Sequence, residues 1–329
     1  MRPAKLFGMP MLASALLVLL IAAPSPACAQ DWPTRQPVRV VVPLGAGSAN
    51  DIVARLVFEQ VSKQIGQSVV IENRAGASQT LGAGMVAKAD PDGYTMLVGG
   101  SALAVVPSTM SNLPFSMQND LVAVASLANI PLVLVVSPSK GYRSIHDFVA
   151  AAKAKPGSIT YGSGGRGDAT HLAAERFRLA AGFEGLYVPF NSAPAVLTEI
   201  MAERLDFYMS AAAPAMPLIA DGKLQALAIA SAKHSAAFPS TPTTTEAGFA
   251  NSDYEFWVGA FVPAATPRAI VERINEEIVK ALETPSLRER LRSLGGTPTP
   301  ISARAFEEQF KHEIAVNAAL VKAAGLQTN

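Results

Sequence analysis

The feature that most limits how this chain can fold is a device it uses twice: a short apolar strand, a glycine-rich loop, and a helix entered directly from the loop. Val38 to Pro43 is a β-branched run ending on proline. It is followed by Leu44-Gly45-Ala46-Gly47-Ser48-Ala49-Asn50 and an amphipathic helical stretch from about Asp51 to Ile65. Thr160-Tyr161-Gly162-Ser163 leads in the same way into Gly164-Gly165-Arg166-Gly167-Asp168 and a helix from His171 to Ala181. Further short strands are predicted at Val69–Asn73, Tyr94–Val98, Val133–Val136, Leu186–Pro189, Phe207–Met209, Ala226–Ala230 and Glu255–Val262. Helical stretches alternate with them, and Pro267–Leu282, Pro285–Leu294 and Ala303–Ala324 close the chain as helices. This alternation predicts an α/β protein with a mostly parallel sheet and helices on both faces. Two such openings predict two lobes with a ligand between them, beyond the carboxyl ends of the strands.

A glycine loop that ends at a helix N-terminus offers unpaired backbone N–H groups and the positive end of the helix dipole, so it attracts an anion without a charged side chain. A carboxylate or phosphate is the natural ligand. Nucleotide fingerprints are missing. Gly45-Ala46-Gly47-Ser48-Ala49-Asn50 lacks the third glycine of GxGxxG, and no Gly-Lys-Ser/Thr follows a glycine run. Gly99-Gly100-Ser101-Ala102-Leu103 breaks the GxSxG pattern at its last position. A hydrolase would have to use Ser163 or Ser101 with His171, with no motif to orient the base. His146, His171, His234 and His312 have no metal-ligand spacing, and no metal or cofactor is expected.

Arg2 and Lys5 precede an apolar run from Leu12 to Ala23, and Ala27-Cys28-Ala29 supplies small residues for cleavage, so residues 1–29 read as a signal peptide cut near Ala29. The run falls short of the roughly 20 residues a spanning helix needs. Cleavage there removes the one cysteine, Cys28, and the remainder can form neither a disulfide nor a thiolate site. It also removes two of the 27 basic side chains and none of the 26 acidic ones, leaving no long-range field for nucleic acid.

Strings spread along nearly the whole mature chain carry a resemblance. They include Val42-Pro43 with Asn50-Asp51 and Ala54-Arg55, then Val70-Ile71-Glu72-Asn73-Arg74-Ala75-Gly76 and Pro91-Asp92-Gly93-Tyr94. Tyr161-Gly162-Ser163, Val188-Pro189-Phe190, Ala193-Pro194-Ala195, Asp221-Gly222-Lys223-Leu224 and Lys322-Ala323-Ala324-Gly325 continue them. In this order they resemble the substrate-binding proteins of tripartite tricarboxylate transporters, the Bug family. The resemblance implies a two-lobed periplasmic-binding-protein fold of the Venus-flytrap, type II-like kind, joined by two crossover strands near Val133–Val136 and Glu255–Val262. Lobe 1 would comprise residues 31–130 with 254–329, and lobe 2 residues 131–253.

By the same resemblance, a small organic carboxylate (mono-, di- or amino acid) would be held in the periplasm by a monomeric receptor. The receptor would deliver it to the large and small integral-membrane permease subunits, or, in the alternative, would report it to a membrane signalling protein. Carried over by position, the ligand would meet Leu44, Gly45, Gly47, Ser48, Asn50 and Asp51 in the first lobe. In the second lobe it would meet Ser163, Gly164, Gly167, Asp168 and Thr170, with Asn191, Ser192 and Ser210. Three positions depart from the family's usual pattern: Ala46-Gly47-Ser48 replaces Pro-Gly-Gly, Ser210 stands where many members carry Asp, and Asp168 stands where a small hydroxyl residue is usual. A carboxylate at Asp168 repels a second ligand carboxylate unless Arg166 or an amine on the ligand offsets it.

Overall fold

The computed structural model describes residues 32–110 and 112–323. The expected signal peptide, with Cys28, lies outside the described residues, as do Ala324 and Gly325. The first strand, β1 (Val38–Val42), is buried along almost its whole length, as five residues rich in valine require. It is followed by α1 (Ala49–Ile65), β2 (Val69–Asn73), α2 (Thr80–Ala87) and β3 (Thr95–Gly100), then a short α3 (Val106–Thr109) and β4 (Leu121–Asn129). A second run contains β5 (Leu132–Val136), α4 (Ile145–Ala154), β6 (Ile159–Ser163), α5 (Ala169–Ala181), β7 (Gly185–Pro189), α6 (Ala193–Met201), β8 (Phe207–Ala211), α7 (Ala212–Ala220) and β9 (Gln225–Ile229). The chain closes with β10 (Trp257–Pro263), α8 (Arg268–Glu283), α9 (Pro285–Ser293), β11 (Thr297–Pro298) and α10 (Ala303–Ala323).

These strands form two sheets, ordered β11-β4-β10-β3-β1-β2 and β7-β6-β8-β5-β9. The two have the same plan. In each, the strand that feeds a glycine loop (β1 or β6) lies between two parallel neighbours. An antiparallel strand then joins (β10 or β5), flanked by another antiparallel one (β4 or β9). Both sheets are therefore mixed rather than mostly parallel, because each includes the strand that the chain enters directly after crossing from the other sheet, β5 or β10, and that strand runs antiparallel to its neighbours.

The chain crosses between sheets at Ile130-Pro131 and returns along residues 230–256. Strand β5 itself belongs wholly to the second sheet and β10 to the first, so the crossings are the segments beside the strands expected to make them. The crossings are stitched together. Ile130 N–H donates to the Phe256 carbonyl at 2.9 Å, Ala230 N–H to Leu132 at 2.8 Å, and Tyr254 N–H to Ala230 at 3.1 Å.

A main core runs through both sheets and their helices. A second cluster fills the space between the first sheet and α10, where Phe306 and Phe310 pack on Trp257 and Phe261. Trp257 is fully buried, and its indole N–H donates to both oxygens of Glu313 at 2.9 and 2.8 Å. Among the described residues, no helix is long and apolar enough to cross a membrane.

Candidate functional site

The loop after β1 is shaped by its own helix. Ser48 is the N-cap of α1 and accepts the Asp51 N–H at 3.3 Å. The Asp51 carboxylate reaches back to the N–H of Gly47 at 2.9 Å, where the backbone has φ +77°. It also accepts from Arg55 Nε at 3.0 and 3.1 Å and from Asn73 Nδ2 at 3.0 Å. Burial alone would raise its pKa, but Arg55, the Gly47 N–H and Asn73 together hold this carboxyl below the usual carboxylate value.

The loop after β6 repeats the arrangement with different chemistry. Asp168 is the N-cap of α5; its Oδ1 accepts the His171 N–H and the Thr170 hydroxyl, each at 2.8 Å. His171 Nδ1 takes the N–H of Gly167, at φ +74°, over 3.0 Å. The imidazole thus does in the second loop what Asp51 does in the first. It must present an unprotonated Nδ1, in keeping with burial that lowers its pKa. Its ring stacks on Tyr187 at 4.0 Å between centroids.

Between the sheets lies an inner cavity, adjoined by an outer one. Leu44, Gln79, Gly164 and Asp168 line both. Four helix N-termini face the inner cavity: Ala49 and Asn50 begin α1, Ala169 and Thr170 begin α5, Ala193 begins α6, and Ala211 is the N-cap of α7. Neither lysine nor arginine lines it. Several buried polar atoms on its wall have no hydrogen-bond partner: both side-chain atoms of Asn50, Oε1 of Gln79 and the Tyr208 hydroxyl. A buried polar group left unpaired costs about 1–3 kcal/mol, so this wall carries unmet hydrogen-bonding capacity. Apart from the Asp168 carboxyl, the wall presents positive dipole ends and amide or hydroxyl groups, suited to an anion.

Of the residues expected from the sequence, Leu44, Ser48, Asn50, Gly164, Asp168 and Thr170 line the inner cavity and Asn191 the outer. Asp51, Ser163 and Ser210 line neither. Asp51 braces its loop, Ser163 Oγ is held by the Gly165 carbonyl and Tyr187 hydroxyl, both at 2.8 Å, and Ser210 Oγ donates to Ala211 O at 3.0 Å. Gly45, Gly47, Gly167 and Ser192 lie where the lobes touch. A Cβ at Gly45 would sit 2.5 Å from Asn191 O and 2.8 Å from Ser192 Cβ; one at Gly47 would sit 2.8 Å from Pro194 Cγ, and one at Gly167 3.4 Å from Ser78 Oγ.

Gln79, Tyr208, Gly100 and Phe256 line the inner cavity without a signal in the sequence. Gln79 ends a run of three non-glycine residues at positive φ, with Ala77 at 46°, Ser78 at 53° and Gln79 at 75°. Such strain gathers at ligand sites. Nothing in Ala-Ser-Gln announces it.

The hydrolase alternative fails on geometry, since Ser163 bonds to Gly165 and Tyr187 while His171 Nδ1 is occupied by Gly167. The Ser101 hydroxyl has no partner and hence no base. No group of three His, Cys, Asp or Glu side chains among the described residues could hold a metal ion.

Asp168 is 3 % exposed, and burial pushes its carboxyl up to about 7 against the hydrogen bonds from His171 and Thr170. A folded-state value raised above the unfolded one favours folding at low pH, and this contribution is lost as pH rises through about 7. Asp168→Asn keeps a competent N-cap and removes the charge. In the absence of ligand its gain in melting temperature over the parent should be larger at pH 8 than at pH 5. Equal gains at the two pH values in thermal unfolding would show that ionisation of Asp168 is not the cause.

Comparisons with known proteins agree with this geometry. Residues 53–326 match the family described as "Tripartite tricarboxylate transporter family receptor". "Protein BugT" of Bordetella pertussis is 33 % identical over 292 residues, covering 86 % of this chain and 88 % of BugT. The structure of periplasmic binding protein BugD superposes with a TM-score of 0.85 at 26 % identity, covering 90 % of this chain and 99 % of BugD. An R. palustris protein solved with adipate gives 0.85 at 30 % identity, over 90 % of this chain and 99 % of its own. The chain belongs to the family of tripartite tricarboxylate transporter receptors, solute-binding proteins rather than enzymes.

Proposed function

We propose that this receptor works in the periplasm, closing its two lobes on a small organic carboxylate and delivering it to the integral-membrane permease subunits of a tripartite transporter. The observation that carries the reading is the convergence of four helix N-termini and the unpartnered Asn50, Gln79 and Tyr208 on one inner cavity between the sheets. Backbone N–H groups at helix starts bind a carboxylate without a basic side chain, which fits a wall that has none. The ligand-binding residues in this reading are Leu44, Ser48, Asn50, Gly164, Asp168 and Thr170 on the wall, joined by Gln79 and Tyr208. Asp51 and His171 keep the two loops in shape. The periplasmic binding protein BugD and the R. palustris protein with adipate support the compartment and the ligand class.

Thermal unfolding against a panel of straight-chain, branched and amino-substituted carboxylates tests the reading. A ligand at a hundred times its dissociation constant should add about 2.7 kcal/mol of stability. Absence of any shift across the whole panel would refute it. Delivery is tested by uptake into vesicles that hold the permease subunits, with and without the receptor; uptake that is equal in the two cases counts against transport.

A further inference from the structure

The inner cavity attracts an anion through its helix starts, yet the one carboxylate on its wall is Asp168, and no lysine, arginine or histidine lines it. Asp168 makes no ion pair with any described residue, and no positive neighbour figures among the influences on its charge. The side chain is not idle. Oδ1 is consumed by the His171 N–H and the Thr170 hydroxyl, whereas Oδ2 takes no side-chain donor and lies beside Gly164, 3.3 Å from where a Cβ at that glycine would be. Among the described residues, the base on the adjoining outer wall is Arg166, whose guanidinium lies over the Tyr187 ring, 5.4 Å from its centroid.

We propose that Asp168 selects ligands carrying an ammonium group as well as a carboxylate, so that the receptor prefers amino acids to simple mono- or dicarboxylates. This rests on the carboxylate reading above and narrows it. The carboxylate of the ligand takes helix N–H groups, and its ammonium takes Asp168 Oδ2. The neighbouring acceptors that lack partners, Gln79 Oε1, Asn50 Oδ1 and the Tyr208 oxygen, lie on the same wall for the remaining N–H bonds. A monocarboxylate would leave the buried Asp168 without a counter-charge, which is unfavourable. A dicarboxylate would set a second negative charge against it, and could be accommodated only by protonating one of the two. The N-cap position itself favours the ionised form of Asp168, because it faces the positive end of α5.

Calorimetry on the whole receptor with length-matched ligands tests the assignment. One set is butyrate, 2-aminobutyrate, 4-aminobutyrate and succinate; the other is hexanoate, 2-aminohexanoate, 6-aminohexanoate and adipate. At least one amino-substituted acid should bind ten times or more tighter than both its unsubstituted and its dicarboxylate counterpart. In Asp168→Asn that preference should shrink to threefold or less. Asp168→Ser, a different but competent cap, should behave alike.

Binding near pH 7 in buffers of different ionisation enthalpy should release protons as Asp168 ionises. His171, Arg166, Tyr187, Tyr208 and Tyr254 are the other titratable groups coupled to this corner, and the proton release should vanish in Asp168→Asn. Tightest binding of a dicarboxylate with proton uptake overturns the inference. So does equal binding of amino and unsubstituted acids, although either result leaves the carboxylate reading intact. A protein that binds none of the eight, nor any other carboxylate, overturns both.

Discussion

Gly45→Ala should weaken ligand binding by about 5- to 150-fold while leaving the unliganded protein as stable as its parent. The position does not require a left-handed backbone, so an alanine adds no strain within its own loop. What the new methyl meets is across the cleft: the Asn191 carbonyl oxygen at 2.5 Å and Ser192 Cβ at 2.8 Å. Neither is the end of a flexible side chain, and the loop can relieve the clash only by moving away from the second lobe. Overpacking of this kind costs about 1–3 kcal/mol, all of it charged to the closed state, and each 1.4 kcal/mol is about a tenfold loss of affinity. Calorimetry reads the affinity, melting of the free protein reads its stability, and small-angle scattering at saturating ligand should show a larger radius than the parent. Affinity within twofold of the parent would mean that this loop is not a closure contact. Gly47→Ala is a less clean probe, because φ +77° adds backbone strain to its contact with Pro194.

Phe306→Ala should cost about 3–5 kcal/mol of stability, as truncating a fully buried phenylalanine generally does. The ring is 0 % exposed and lies edge-on to Trp257 at 5.2 Å and against Phe261 at 5.6 Å. It also presses on the backbone of β10 at Gly259, where a Cβ would come within 2.2 Å of it. That glycine is what lets α10 seat so closely on the first sheet, so little can move inward to fill the hole. Denaturant unfolding followed by Trp257 fluorescence measures the loss. A change below about 1 kcal/mol would mean that the helix resettles and that the second cluster packs loosely.

Much of the framework could be read from residue types. Valine runs such as Val38–Val42 and Val133–Val136 have one buried solution, and the glycine loops mark where each of β1 and β6 turns into a helix. The longest strand, β4, escaped notice. Its Leu-Val-Ala-Val-Ala-Ser-Leu-Ala-Asn is buried on both faces, so it lacks the alternation that marks a half-buried strand, and its alanines suit a helix equally. The two-residue β11 is defined only by its pairing with β4.

At the site, the anion-binding loops were legible because they are local. Gln79 and Tyr208 were not: one is placed by a left-handed turn in Ala77-Ser78-Gln79, and the other by its position near the start of β8. Asp168 was legible as a charge but not as a cap. His171 was legible as the start of the second helix but not as the acceptor that replaces Asp51 in the second loop.

The placement of β10 also sets a clock. It lies between β3 and β4, which share no edge with each other, so the first sheet stays divided until Trp257–Pro263 leave the ribosome. The second sheet is drawn from the contiguous stretch Leu132–Ile229 and can pair while synthesis continues. Pairings between segments so far apart in the chain form slowly. The half that emerges first is thus the half whose sheet is completed last.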